Sequence, residues 1–336
     1  MGQRKSKRSG LVLLLLLALA GVVAVETGWA GFGWAQVKSM VYPRNDALLE
    51  WVPADTQAVA IVDPHQIRVK ALGAEGSIPR TWLERVRGDV KKAAGVDLVF
   101  DVDKVVLTPG LVVMSGRFDG DKLAARLAEY QYTKAEHGDR SYLVRAGEDA
   151  VMAVGADVLV YGDEDSIKGS IDAKAGNSLA KNQPVIDRLA QIGWNHPLLA
   201  TVQLGGDHPS LRSMITGSTG PRAISLAVRG DKGIDVNASI EAATPSAGAE
   251  LAKLLDAKRA SAADLQAAAG PELGSELATV AHDATIKADP VTGQVALGVH
   301  VSTETLDTVI RAAEHSAPLA DLYKTFRLVQ LLAPSR

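Results

Sequence analysis

Residues 222–241, RAISLAVRGDKGIDVNASIE, decide the fold. Two runs of apolar and small residues flank Gly230-Asp231-Lys232-Gly233, a composition that lets a chain reverse on itself. Ser225-Leu226-Ala227-Val228 and Val236-Asn237-Ala238-Ser239-Ile240 partly alternate apolar with polar. Strands alternate in this way when one sheet face meets a core and the other meets water. The stretch reads as an antiparallel hairpin, Arg222 to Arg229 against Ile234 to Glu241.

The elements around this hairpin follow from the same signals. Upstream, Leu198 to Leu204 is a strand and Asp207 to Ile215 a short helix. Downstream, Ser246 to Ala268 is an Ala-rich helix and Pro271 opens another. Thr285 to Ala288 and Gln294 to Val301 are strands around a Pro290-Val291-Thr292-Gly293 turn. Thr303 is expected to cap a last helix, with Glu304 and Asp307 near its positive end.

The first half has the same kinds of element. Ala47 to Val52 is a short helical turn closed before Pro53, and Ala58 to Val62 is a strand. Trp82, Val86, Val90 and Ala93 recur at helical spacing within Arg80 to Ala94. Lys104 to Leu107 and Leu111 to Phe118 form a hairpin over Thr108-Pro109-Gly110. Asp121 starts a helix through Leu123, Leu127 and Tyr130. Ser141 to Arg145 and Ala150 to Tyr161 read as two strands, the second bent or broken at Gly155. Asp163 to Ala173 is a helix with Asp163 as its N-cap.

The fold class is therefore α+β, with mainly antiparallel sheets and helices on one face. Each half runs strand, helix, hairpin, helix, hairpin, helix. Element order alone suggests two similar α+β units in tandem, 46–195 and 196–336, with no residue-level identity between them.

Composition narrows the function. The chain has 336 residues and no cysteine, so thiolate metal sites, disulfides and a cysteine nucleophile are excluded. Lipid attachment through cysteine is excluded with them. Arg4, Lys5, Lys7 and Arg8 crowd the first ten residues without an acid. Setting those four aside leaves 32 basic against 39 acidic residues, a body near −7. A net acidic body lacks the basic footprint of a nucleic-acid binder.

Leu11 to Val25, LVLLLLLALAGVVAV, is uniformly apolar and follows the basic cluster directly. Positive charge stays cytoplasmic, so the body is expected outside the cytoplasm. The basic tail 1–10 precedes a membrane segment 11–32 and a linker 33–45. Leu11, Leu14, Leu17, Val22 and Val25 would meet lipid, with Trp29 and Trp34 at the headgroup level. Carried on to Phe32 the segment has about 22 residues, enough to cross as a transmembrane helix. Gly28-Trp29-Ala30 and Gly33-Trp34-Ala35 also have the small residues of a signal-peptide cleavage site. Retained anchor and cleaved signal both stay open, the anchor leading.

No catalytic or metal motif stands out, and no cofactor is expected. The histidines at 65, 137, 196, 208, 282, 300 and 315 lack a second ligand at metal spacing. Gly205, Gly206, Asp207 and His208 form a strand-to-helix turn whose backbone amides suit an anion. It lacks the Lys-Ser/Thr of a phosphate loop. Asp163-Glu164-Asp165 has too few oxygens for calcium and is better explained by helix capping. Leu319, Leu322, Phe326 and Val329 follow the 3-4-3 spacing of a helix-pairing seam. Such a seam either packs on its own domain or meets an envelope partner or a second copy.

The segment Leu48-Leu49-Glu50-Trp51-Val52-Pro53-Ala54-Asp55-Thr56-Gln57-Ala58-Val59 resembles uncharacterised bacterial cell-envelope proteins. In these a leader or anchor precedes a strand opening of the form L-P-A-D-T-x-A-V, with Val52 here in the place of the Leu. Ser115 to Asp119 and Val158 to Gly162 fit the same pattern, so the resemblance spans about Leu48 to Ala173. It implies export in a Gram-negative bacterium and a multi-strand α+β body, and it carries no catalytic residues. The expectation is a non-enzymatic, membrane-tethered periplasmic protein that binds or scaffolds envelope components. The alternative is a periplasmic ligand-binding protein or hydrolase whose site is assembled from distant residues.

Overall fold

The computed structural model describes residues 46–64, 88, 91–92, 95–97, 101–194, 196–204, 221–230, 233–260, 271–305 and 308. The membrane segment 11–32, the anion-binding turn at Gly205 to His208 and the seam Leu319 to Val329 lie outside them. So does most of the expected helix Arg80 to Ala94.

The chain is α+β, and the strands among the described residues form one sheet. Strands β1 (Ala58–Val62), β2 (Val102–Thr108), β3 (Leu111–Gly116), β4 (Thr133–His137), β5 (Arg140–Arg145) and β6 (Asp149–Val154) come first. β7 (Val158–Gly162), β8 (Leu198–Gln203), β9 (Ala223–Gly230), β10 (Ile234–Glu241), β11 (Thr285–Ala288) and β12 (Gln294–Val301) follow. Their order across the sheet is β11-β12-β10-β9-β8-β1-β2-β3-β7-β6-β5-β4, with antiparallel pairing at every step. The halves are thus joined edge to edge, and β1 pairs with β2 on one side and β8 on the other.

A single row of register partners crosses all twelve of the described strands. It runs Ile286, Leu297, Ala238, Leu226, Ala200, Ala60, Leu107, Val112, Tyr161, Val151, Leu143 and Lys134. Side chains in one such row share a face. All but the last, on edge strand β4, are apolar or aromatic, so this face is lined for burial across nearly its whole width.

Helices cover both faces, which corrects the expectation of one. α1 (Asp46–Leu49), α3 (Glu164–Ala175), the 3₁₀ turn Leu179–Lys181 and α4 (Gln183–Ile192) lie on the face away from this row. There Leu49, Val52, Ile167, Leu179, Val185 and Leu189 meet Ile61, Val113, Met152, Val160 and Leu199 in one core. α2 (Gly120–Ala128) lies on the face of the row, where Leu123 and Leu127 meet Met114, Val151 and Leu159. Further along that same face, α5 (Pro245–Ala260) brings Leu251 and Leu255 onto Ile224, Ile240, Val295 and Leu297. α6 (Pro271–Asp283) packs beside it against α5 and β12. The physical reason is local. Val112-Val113-Met114, Val151-Met152 and Leu159-Val160 are apolar at consecutive positions, so both sides of these strands need cover.

Other boundaries also moved. Ala150 to Tyr161 is two strands, β6 and β7, reversed over a turn in which Gly155 adopts φ +58°. The cap of the last helix is Ser302 rather than Thr303, since the Ser302 hydroxyl accepts from Thr305 N–H at 3.2 Å. β4 and α4 were not expected. Asp163 does cap α3, accepting from Ser166 N–H at 2.7 Å.

Candidate functional site

None of the residues singled out above for membrane insertion, anion binding or partner docking lies within the described chain. The polar chemistry that the fold assembles among the described residues centres on two buried side chains, Asp149 and His196, each met by partners from neighbouring strands and turns.

The first lies on the α2 face at the β5–β6 end. Tyr132, just before β4, points its hydroxyl at Asp149 on β6 and donates to Oδ2 at 2.6 Å. Arg145 on β5 is the register partner of Asp149, and its guanidinium stands 3.3 Å from Oδ1 and 2.5 Å from Glu148. The same guanidinium lies over the Tyr132 ring, 5.4 Å from its centroid. The Tyr161 hydroxyl is buried beside the Asp149 carboxylate without closing a well-formed hydrogen bond. Burial first, and the hydrogen bond to Asp149 second, hold the Tyr132 phenol far above its ordinary range. Burial and the Asp149 charge do the same to Tyr161. The Asp149 carboxylate is 4% exposed: the Tyr132 phenol hydrogen-bonds Oδ2, while Oδ1 has only the Arg145 charge beside it and no aligned hydrogen bond.

The second cluster joins α4 to the middle of the sheet. His196, 8% exposed, follows α4 and precedes β8. Its Nδ1 accepts from Arg229 Nε–H on β9 at 2.9 Å, and its Nε2–H donates to the Ile192 carbonyl at 3.0 Å. Those partners require the neutral ring with its proton on Nε2. Further along β8 and β9, the hydroxyls of Thr201 and Ser225 are hydrogen-bonded across the strands at 3.0 Å, both buried. Lys104 on β2 lies 3.9 Å from Asp63 at the end of β1, and burial lowers its ammonium pKa.

The remaining histidine pairs lie at the surface. His137 and Asp172 meet at 2.9 Å, and His300 on β12 meets its register partner Asp235 on β10 at 2.8 Å. Sequence proximity could not show them, since the pairs are 35 and 65 residues apart. Asp163-Glu164-Asp165 is accounted for by structure: Asp163 caps α3, while Glu164 accepts from Tyr142 and pairs with Lys168. Among the described residues, no group of three or more His, Asp or Glu side chains is placed to hold a metal ion. No helix among them is long and apolar enough to cross a membrane.

No protein-family model matches the chain, and no curated protein matches it. Among solved structures it is similar to TP0453 in crystal form I, at 10% identity and a TM-score of 0.46. That likeness covers 80% of this chain and 98% of the other. At this level it transfers neither fold nor function.

Proposed function

We propose that the chain is a non-enzymatic, membrane-tethered envelope protein whose body stands in the periplasm and binds or scaffolds other envelope components. The observation that carries this reading is the N-terminus: four basic residues without an acid, then LVLLLLLALAGVVAV. The acidic body and the resemblance of Leu48 to Val59 to envelope proteins support it. Cell fractionation with intact-mass analysis tests it. Full-length chain in the membrane fraction is the expected result, followed by crosslinking to envelope proteins in intact cells. A soluble product starting near Gly31 or Gln36 removes the tether and favours a diffusible binding protein or hydrolase.

We further propose that the body consists of two similar units in tandem. The support is the strand order. Reading outward from the β1–β8 junction gives β1-β2-β3-β7-β6 on one side and β8-β9-β10-β12-β11 on the other. The register row corresponds as well: Leu107 with Leu226, Val112 with Ala238, Tyr161 with Leu297, Val151 with Ile286. α2 and α5 follow the third strand of each series and lie on the same face. The β4–β5 hairpin is then an insertion in the first unit. Experimental coordinates test this: the halves should superpose by a rotation of about 180° near Ala60 and Ala200. Failure of β2-β3-β7-β6 to overlay β9-β10-β12-β11 would sink the duplication.

A further inference from the structure

α4 belongs to the first half of the chain but packs on β8 and β9 of the second. Three polar contacts extend that bridge. Arg188 reaches Glu241 on β10 at 3.6 Å, Gln191 and Gln294 on β12 exchange hydrogen bonds at 2.9 and 3.1 Å, and His196 ties the helix end to Arg229. Only the last depends on a group that titrates near neutral pH.

We propose that His196 is a proton-sensitive clip that fastens the C-terminal end of α4 to the second half of the sheet and releases it on acidification. Both ring nitrogens are committed. Nδ1 must be bare to accept from Arg229, and Nε2 must carry the proton that Ile192 accepts. Adding a proton to Nδ1 turns the acceptor into a donor and sets an imidazolium against a guanidinium. Arg229 is the charged group against the ring. Other charges lie on the surrounding elements: Asp235, the register partner of Arg229 on β10, pairs with His300 on β12, Arg188 with Glu241 and Gln203, Asp187 with Gln183, and Asp63, whose N–H donates to the Pro197 carbonyl, with Lys104. Burial, and then the Arg229 charge, lower the ring's pKa, so the neutral form holds at neutral pH. The C-terminal turn of α4 is otherwise held by Leu189 in the core and by the Gln191–Gln294 pair. Gly193 closes it at φ +89°, with its N–H on Leu189 and Ala190.

This clip operates whether or not the chain is tethered. Hydrogen exchange of the full chain at about pH 7.5 and about pH 5 tests it, with rates corrected for intrinsic chemistry. Amides of residues 189–193 should lose protection about tenfold at the lower pH, while β3 and β7 do not change. His196→Gln offers an uncharged acceptor and donor to the same partners and should abolish the response. Equal protection at both pH values, or an unchanged response in His196→Gln, overturns the proposal. Should that variant not fold, nitrogen NMR of the native ring decides. The Nε2–H tautomer at neutral pH and loss of the Arg229 Nε–H signal as the ring titrates support the clip. Persistence of that signal on the protonated ring refutes it.

Discussion

Ala60 of β1 faces Ala200 of β8 in antiparallel register, and at that pair the two halves of the chain become one sheet. The core does not stop there. Leu199 and Ala227 from the second half belong to the same apolar cluster as Leu49, Ile61 and Ile167 from the first. The halves are therefore expected to unfold together. In denaturant, far-UV circular dichroism and hydrogen exchange of β3 and β10 should report one midpoint. Ala200 is 4% exposed, so Ala200→Asp buries an unpaired carboxylate and should cost more than about 3 kcal/mol. Two separate midpoints would mean that the seam transmits little.

Gly162 at the end of β7 tests the close approach of β7 to the turn between β2 and β3. A Cβ there would stand 2.4 Å from the Gly110 carbonyl oxygen, which is backbone and cannot rotate away. Gly162→Ala should destabilise the fold by about 1–3 kcal/mol. Gly176, just after α3, has no neighbour within 4 Å of the same added atom and extended φ. Gly176→Ala should stay within about 0.5 kcal/mol of the parent. Thermal and chemical denaturation of the two variants side by side gives the comparison.

The cap of α3 gives a smaller, local effect. Asp163 supplies the acceptor for Ser166 N–H, one of four donors at the helix start without an intrahelical partner. Asp163→Ala should cost about 1 kcal/mol, and Asp163→Ser should restore most of it. The loss should appear as faster hydrogen exchange in the first turn of α3. An Ala variant as stable as the Ser variant would show that the backbone alone closes this end.

Local signals carried much of this architecture. Thr108-Pro109-Gly110, Gly230 to Gly233 and Pro290 to Gly293 mark three hairpins because turn chemistry is written in adjacent residues. β4 escapes notice because Thr133-Lys134-Ala135-Glu136-His137 is polar on both sides, as an edge strand can be. α4 is masked by Pro184, which breaks a helix in its interior but is tolerated in its first turn, where it sits here. The hairpin of β6 and β7 merges into one apolar run because three turn residues are too few to interrupt it. What joins the halves is a pairing between Ala60 and Ala200, far apart in the chain, and no window of sequence contains it. Tyr132 with Asp149 and His196 with Arg229 are legible only after folding for the same reason.

The Tyr132–Asp149 contact predicts behaviour at alkaline pH. Tyr132, Tyr142 and Tyr161 all have phenols raised above their ordinary range, with burial the largest cause in each. A raised folded pKa means that the native state holds its protons where the unfolded chain, near pH 10, gives them up. Stability from these groups is therefore complete below about pH 10 and is lost as the pH climbs towards the folded values. Ultraviolet difference titration should show part of the phenol signal delayed until the protein unfolds. Tyr132→Phe removes the donor and leaves Asp149 buried beside Arg145 with one partner fewer, at a cost of about 1–3 kcal/mol. The variant should also unfold over a shallower alkaline transition, since one of the delayed phenols is gone. If all tyrosines of the native protein ionise together near pH 10, the burial of this cluster is wrong.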